Sequence, residues 1–191
     1  MCSNDSSTTT RSIVTDYFNW RLTNKTAATT TNRLYMIIRS IASDCETKYY
    51  SQQPPFYFRV SSSSSLIDVE NNHHEIAKEL FGDGAITWSR IITFISFSAI
   101  LAECLLNQQQ LNIDFVISSI IDWTTNFIDA DLYIWLESQN YWAGCLKFYE
   151  KTTAQRRNSI SRYASILGTL SKYANIRCIV HETNINAVVI L

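Results

Sequence analysis

Residues 79–103 read ELFGDGAITWSRIITFISFSAILAE, and this stretch decides the fold. A GDG turn at 82–84 separates an acidic and aromatic end from a run, Ile91 to Ala102, that carries no charge. The uncharged run has twelve residues, well short of the roughly 20 that one membrane-spanning helix needs. It therefore predicts a helix from about Thr87 to Leu106 that is buried inside protein.

A second apolar segment follows this one after the polar letters NQQQ at 107–110, and it predicts a helix from Asn112 to Ile128. Two consecutive helices this apolar cannot both lie on a surface. They predict a central hydrophobic hairpin that amphipathic helices surround. One of these neighbours is expected from about Asn72 to Phe81, directly before the GDG turn.

Two more amphipathic helices are predicted upstream. The first covers about Ser12 to Thr23, and the second begins after a capping Asn32 and ends near Tyr50. One face of the second helix carries Leu34, Ile38, Ile41 and Cys45. Only about eight residues, 24–31, connect the two, which predicts no large regulatory loop there. The serine run at 61–65 is typical of a solvated linker.

The composition supports a single, mostly helical domain. Of 191 residues, 46% are hydrophobic and 17% charged, with four Gly and two Pro, which disfavours disorder, many-stranded sandwiches and phosphate-binding glycine loops. We expect a flexible N-terminus at 1–11, a helical domain at 12–180 and a C-terminal tail at 181–191. The polar N-terminus lacks a secretory signal, so a cytoplasmic protein is expected.

Several kinds of site are not expected. A net charge of −1 gives no reason to expect nucleic acid as a partner. The cysteines, five in number and mostly in apolar runs, are expected to be reduced. His73, His74 and Glu75 are adjacent on a predicted helix, where their side chains diverge, so we interpret them as solvated residues and not as metal ligands. No catalytic signature appears, and no enzyme activity, metal or cofactor is predicted.

Four segments resemble the motifs of the Bcl-2 family of apoptosis regulators, in that family's order. Residues 79–103 are similar to its first homology motif, and residues 121–150 to its second, with Trp135, Gln139 and Trp142 at the expected spacing. Residues 12–25 resemble the amino-terminal motif of the survival-promoting branch, and residues 34–49 the BH3 motif. The ordered set implies an all-α, Bcl-2-like bundle of about eight helices around a central hydrophobic hairpin.

The resemblance also implies a function. A hydrophobic groove on such a bundle receives amphipathic BH3 helices. Here the groove residues would be Tyr49, Leu80, Trp88, Arg90, Ile92, Thr93, Phe97 and Tyr149. Family resemblance gives Arg90 the role of pairing with the Asp of an incoming BH3 helix, and its alternative is a local ion pair with Asp83 or Glu79. The expected partners are BH3 motifs of Bax/Bak-like and BH3-only proteins, with peripheral contact to the mitochondrial outer membrane.

Departures from the family pattern bear on the branch. Within the BH3-like motif, whose anchors are Leu34, Ile38, Ile41 and Cys45, Ser43 stands where the family has Asp, which predicts a poor BH3 ligand. This favours a pro-survival protein over the alternative, a Bax/Bak-like effector that permeabilises the mitochondrial outer membrane, and over a helical module with no apoptotic role. Asn140 and Tyr141 replace a glycine pair, so the turn there must adopt another backbone geometry or tolerate strain.

Overall fold

The computed structural model describes residues 8–22, 30–52, 65–108 and 112–151, and within these ranges it contains seven α-helices and no strand. The helices are α1 (Thr10–Leu22), α2 (Arg33–Gln52), α3 (Leu66–Phe81), α4 (Trp88–Gln108), α5 (Ile113–Asp131), α6 (Tyr133–Ser138) and α7 (Tyr141–Lys151). The predicted all-α class is confirmed. The 152–180 part of the expected domain and the tail at 181–191 lie outside the described residues.

Helix α4 forms the centre of the bundle. Every residue from Ile91 to Ala102 is buried, and α4 packs against α5, α2, α1 and α3. Within the described ranges, the segment Trp88–Asn107 is long and apolar enough by length and composition to cross a membrane. Most of it is buried inside the bundle, as the core helix of a soluble fold would be. The predicted central hairpin is therefore α4 and α5.

Side-chain caps set the start of most helices. Asn32 caps α2 as expected, since its side chain accepts from the N–H groups of Leu34 and Tyr35 at 3.0 and 3.4 Å. Thr9 accepts from the Ser12 N–H at 3.2 Å, so α1 begins at Thr10, two residues before the predicted start. Backbone N–H groups at a helix start lack helical partners, which is why these short polar side chains fix the boundary.

Helix α3 is longer than predicted because of its cap. Ser65 and Asp68 form a capping box, in which the Ser65 N–H donates to Asp68 Oδ2 at 2.9 Å. The helix therefore begins at Leu66 instead of about Asn72. The interpretation of the serine run as a plain linker is wrong at Ser65, and residues 61–64 lie outside the described ranges.

The three cysteines that the structure describes are of two kinds. Cys45 and Cys145 are free and buried, as expected, and burial raises the pKa of the Cys145 thiol. Cys104 is disulfide-bonded, so the expectation of reduced cysteines is wrong at this residue. Spacing along the sequence does not show which cysteines the fold brings within the few ångströms that a disulfide needs. Cys2 and Cys178 lie outside the described residues.

Candidate functional site

The turn between α3 and α4 directs Arg90 back over the end of α3. Gly82 ends α3, and Gly84 has φ 74°, a left-handed conformation that glycine adopts without strain. Thr87 caps α4, because its hydroxyl accepts from the Arg90 N–H at 3.3 Å. The Asp83 carboxylate accepts from the Ala85 N–H at 3.0 Å and so holds the turn in shape. Arg90 lies in the first turn of α4 as a result.

Arg90 makes a local cluster of charge-assisted bonds. Its Nη2 donates to Asp83 Oδ2 at 2.7 Å, and its Nη1 donates to the other oxygen of the same carboxylate. Nη1 also donates to the carbonyl oxygens of Leu80 at 3.2 Å and Ala85 at 2.7 Å. The hydrogen bond from Arg90 lowers the pKa of Asp83 to about 2. The pair with Asp83 was one of the two roles open for Arg90, and pairing with a ligand stays a prediction.

The two residues before Arg90 connect α4 to the C-terminal helices. The Trp88 ring lies 4.8 Å from that of Trp135 and 5.4 Å from that of Trp142, measured between centroids. The Ser89 and Tyr149 hydroxyls form a buried hydrogen bond of 3.0 Å. The structure therefore brings Trp88, Arg90 and Tyr149 to one end of α4.

The turn from α6 into α7 is strained. Asn140 has φ 61° and Tyr141 φ 50°, so both non-glycine residues lie in the left-handed region. Asn tolerates this conformation, whereas for Tyr it costs about 1–2 kcal/mol. Of the two alternatives for this position, strain is the one observed. The turn also brings Gly144 against the Gln139 carbonyl oxygen, which a Cβ there would meet at 1.8 Å.

The remaining groove candidates lie along α4 and on the helices beside it. Leu80, Ile92 and Phe97 are buried, and the Phe97 ring lies 6.2 Å from that of His73 on α3. Helices α2 and α3 pack on α4 but make few contacts with each other. Thr93 is under α2, with its hydroxyl 3.9 Å from Cys45 Sγ. Tyr49 belongs to α2, and its side chain lies outside the described part.

The BH3-like face of α2 is turned inward. Its four predicted anchors, Leu34, Ile38, Ile41 and Cys45, are all buried against the bundle. Ser43 is half-buried and Asp44 is exposed, so no carboxylate occupies the face on which the family motif places one. As it is folded here, α2 does not present this face to a partner.

A buried charged network ties α2 to α1 and α4, and sequence reasoning missed it. Glu46 accepts from Arg21 Nε at 2.9 and 3.0 Å, from the Tyr17 hydroxyl at 2.6 Å and from the Ser96 hydroxyl at 2.9 Å. Arg21 also donates to Glu103 at 3.0 Å. Burial and the Glu46 charge raise the pKa of Tyr17 well above its ordinary value. A detectable signal was present, because Glu46 follows Ile38 and Ala42 at i, i+4 spacing on an otherwise apolar face.

A second ion pair reinforces the contact between α1 and α2. Arg39 donates to Asp16 through Nε at 2.9 Å and through Nη2 at 2.7 Å. Both side chains are mostly buried. A bidentate pair of this kind fixes the relative orientation of two helices as well as their distance.

His73 is not the solvated residue that the sequence predicted. It is buried among aromatic rings, the nearest being Phe94 at 5.0 Å, and its Nε2 lies 2.8 Å from the Ser98 hydroxyl. Burial lowers the pKa of His73 to about 3. The prediction fails because α3 turns His73 toward α4, while the adjacent His74 and Glu75 are exposed. No group of three or more metal-ligating side chains occurs among the described residues.

Sequence comparisons identify related proteins. A family model described as "Apoptosis regulator proteins, Bcl-2 family" matches residues 38–142. The mouse protein "Apoptosis regulator BAX" is 28% identical over 80 residues, which are 42% of this chain and 40% of that protein. "Apoptosis regulator R1" of Xenopus laevis is 28% identical over 98 residues, 49% of this chain and 41% of that protein. The matched region thus spans less than half the length of these relatives.

Solved structures share the fold. A zebrafish pro-survival protein, NRZ, in complex with the Bad BH3 aligns with a TM-score of 0.59 and 21% identity, covering 73% of this chain and 91% of that one. Trichoplax adhaerens trBcl-2L2, bound to trBak BH3, aligns with a TM-score of 0.57 and 21% identity, covering 73% and 96%. These alignments match the all-α bundle described above.

Proposed function

The chain belongs to the Bcl-2 family of apoptosis regulators, and we propose that it acts as a pro-survival member that sequesters BH3 helices of pro-apoptotic relatives. The BH3 helix would lie over α4 between α2 and α3, and its apolar face would reach the buried Leu80, Ile92 and Phe97 once α2 and α3 move apart. Its Asp would meet Arg90. Binding alone accounts for such a role, and no catalytic step is part of it.

The observation that carries this proposal is the state of α2. An effector has to expose its own BH3 helix, and in this chain that helix has Ser43 in the Asp position. Its apolar face is buried, and it is attached to α1 through Arg21–Glu46 and Arg39–Asp16. Separating α2 from α1 would leave buried charges without partners, which is costly. These features favour a protein that receives BH3 helices.

The alternative function also has support. The curated relatives that match include BAX proteins of several mammals, and α4 has the length and composition of a membrane-crossing helix. We keep a Bax/Bak-like effector as the second candidate. Both functions would place the protein in the cytoplasm and at the mitochondrial outer membrane.

A liposome experiment distinguishes the two functions. Dye-filled liposomes are incubated with an activated Bax-type effector, and this protein is added at equal concentration. A pro-survival protein should suppress dye release by mass action on exposed BH3 helices. Dye release caused by this protein alone would instead favour the effector function.

Arg90→Ala supplies the site-directed arm of this experiment. Truncating one partner of a buried charged pair costs about 2–5 kcal/mol, so the variant should bind a BH3 peptide roughly thirtyfold to a few thousandfold more weakly and lose suppression. Arg11→Ala is the matched control, because Arg11 pairs with Asp122 where α1 meets α5. Equal binding by both variants in a calorimetric titration would exclude Arg90 from the site.

A further inference from the structure

Arg90 has a carboxylate partner within its own chain, Asp83. We propose that Asp83 competes with the ligand's Asp for Arg90, and thereby sets how strongly the groove distinguishes BH3 helices that carry this Asp from those that lack it. The inference rests on the proposed BH3-binding function. It concerns Asp83, which the groove residues predicted from sequence do not include.

The two members of the pair differ in how firmly they are held. The Arg90 side chain is 15% exposed, and the carbonyl oxygens of Leu80 and Ala85 hold its Nη1 independently of Asp83. The Asp83 side chain is 58% exposed. Removal of Asp83 from the pair would therefore leave the guanidinium in place. The carboxylate can be exchanged, and the arginine stays.

The turn that carries Asp83 gives it room to move. Residues 82–85, which include Asp83, are all exposed to solvent. Apart from Arg90, the bond described for the Asp83 side chain is the one from the Ala85 N–H, which water can replace at an exposed turn. Displacement of Asp83 thus requires no rearrangement of a packed core.

The net gain from a ligand's Asp depends on what it replaces. In the wild type the ligand's Asp takes the place of Asp83 at Arg90. The binding free energy then gains only the difference between two ion pairs, one covered by the bound helix and one open to water. Without the Asp83 charge, the same ligand would meet a guanidinium bonded to neutral carbonyls, where a charge-assisted bond adds more. While it is paired with Arg90, Asp83 has a pKa of about 2, so the competing carboxylate is ionised at neutral pH.

The test is a calorimetric titration with two peptides, the Bad BH3 peptide and the same peptide with its Asp changed to Ala. The measured quantity is the discrimination ratio, the Kd of the Ala peptide divided by that of the Asp peptide. Asp83→Asn should raise this ratio by about fivefold to fiftyfold, since each factor of ten corresponds to 1.4 kcal/mol. Asparagine keeps an acceptor for the Ala85 N–H, and Asp83→Ser is a second variant that also keeps one.

Two further proteins control for general electrostatics and for the site. Glu79→Gln removes a nearby exposed charge at the end of α3 and should leave the ratio unchanged. In Arg90→Ala the ratio should be close to one, and adding Asp83→Asn to that variant should not alter it. This is the double-mutant requirement for a competition that acts through Arg90.

The outcomes separate the inference from the proposed function. A raised ratio in Asp83→Asn supports the competition, as does peptide binding by Asp83→Asn but not by the wild type. An unchanged ratio, or equal weakening of both peptides, overturns the competition while the proposed function stands. Failure of both proteins to bind either peptide overturns both.

Discussion

Two arginines of this bundle each pair with a carboxylate, and the pairs differ in burial. Arg21 and Glu46 are each 9% exposed, and Tyr17 and Ser96 also donate to Glu46. Arg90 is similarly covered, but its partner Asp83 is mostly exposed. The first pair is enclosed by the packed helices, whereas in the second pair the carboxylate faces solvent and, in our proposal, can be replaced by a ligand's Asp. The same chemistry stabilises helix packing in one region and, under the proposed function, supplies the recognition site in the other.

Sequence separation explains part of this difference. Arg21 and Glu46 are 25 residues apart on α1 and α2, so their pair forms only when the two helices pack together. Arg90 and Asp83 are seven residues apart across one turn. A long-range buried pair depends on the tertiary fold and contributes to it. A local exposed pair depends mainly on its own turn.

The largest expected effect tests this comparison directly. Arg21→Ala leaves Glu46 buried without its cation, and breaking a buried pair in this way typically costs about 3–5 kcal/mol. Arg90→Ala leaves an exposed Asp83 that water can solvate, so its free energy of unfolding should fall by only about 1 kcal/mol. Urea denaturation of both variants measures the two losses. Equal losses would contradict the distinction between a structural and a replaceable pair.

Sequence reasoning predicted much of the fold for identifiable reasons. The uncharged run Ile91–Ala102 has no surface face, which made a central helix the only arrangement open to it. Asn32 and Asn112 were recognisable helix starts, and both cap their helices. Ser65 was missed because a serine run favours a linker by composition, while the capping box depends on one later residue, Asp68.

The candidate site was predictable only where a motif specified it. Trp88, Arg90 and Tyr149 were found through the family resemblance, and they lie at one end of α4. Glu46 and His73 were missed, because a polar residue on an apolar face is assigned to solvent unless its partners are known. Those partners come from other helices, and the sequence does not show which helices meet.

The buried His73 and the exposed Asp83 pair should lower the stability of the fold in different ranges of acid pH. The folded pKa of His73, about 3, lies below its ordinary value of 6.5, so folding excludes a proton that the unfolded chain binds. Stability is therefore lost as the pH falls below about 6.5, by about 2 kcal/mol between pH 7 and pH 5. The stability from the Asp83 pair is present above about pH 4 and is lost as the pH falls toward 2.

Unfolding titrations at pH 7 and pH 5 measure this loss. His73→Gln should reduce the pH dependence, and the exposed His74→Gln, its neighbour on α3, should leave it unchanged. BH3 peptide binding through Arg90 should persist at pH 5 as long as the protein is folded. A wild type with equal stability at both pH values would show that His73 is protonated without cost in the fold.

The smallest expected loss of stability concerns the neutral Ser89–Tyr149 pair, which lies next to Arg90. The buried hydrogen bond between Ser89 and Tyr149 joins the first turn of α4 to α7. Ser89→Ala should lower the free energy of unfolding by about 1 kcal/mol, the net value of a typical hydrogen bond. Thermal unfolding of Ser89→Ala, Tyr149→Phe and the double variant gives the coupling. Additive losses would mean that the two hydroxyls do not interact.

The strained turn before α7 restricts which residue can occupy position 144. Inside a helix, alanine is normally favoured over glycine by about 1 kcal/mol, so Gly144→Ala would ordinarily be expected to stabilise α7. Here the Gln139 carbonyl oxygen occupies the place of any Cβ. Only glycine therefore fits at position 144 as long as Asn140 and Tyr141 keep their left-handed conformations. A substitution of Gly144 could therefore become fixed in evolution only together with a change in the backbone of the turn before α7.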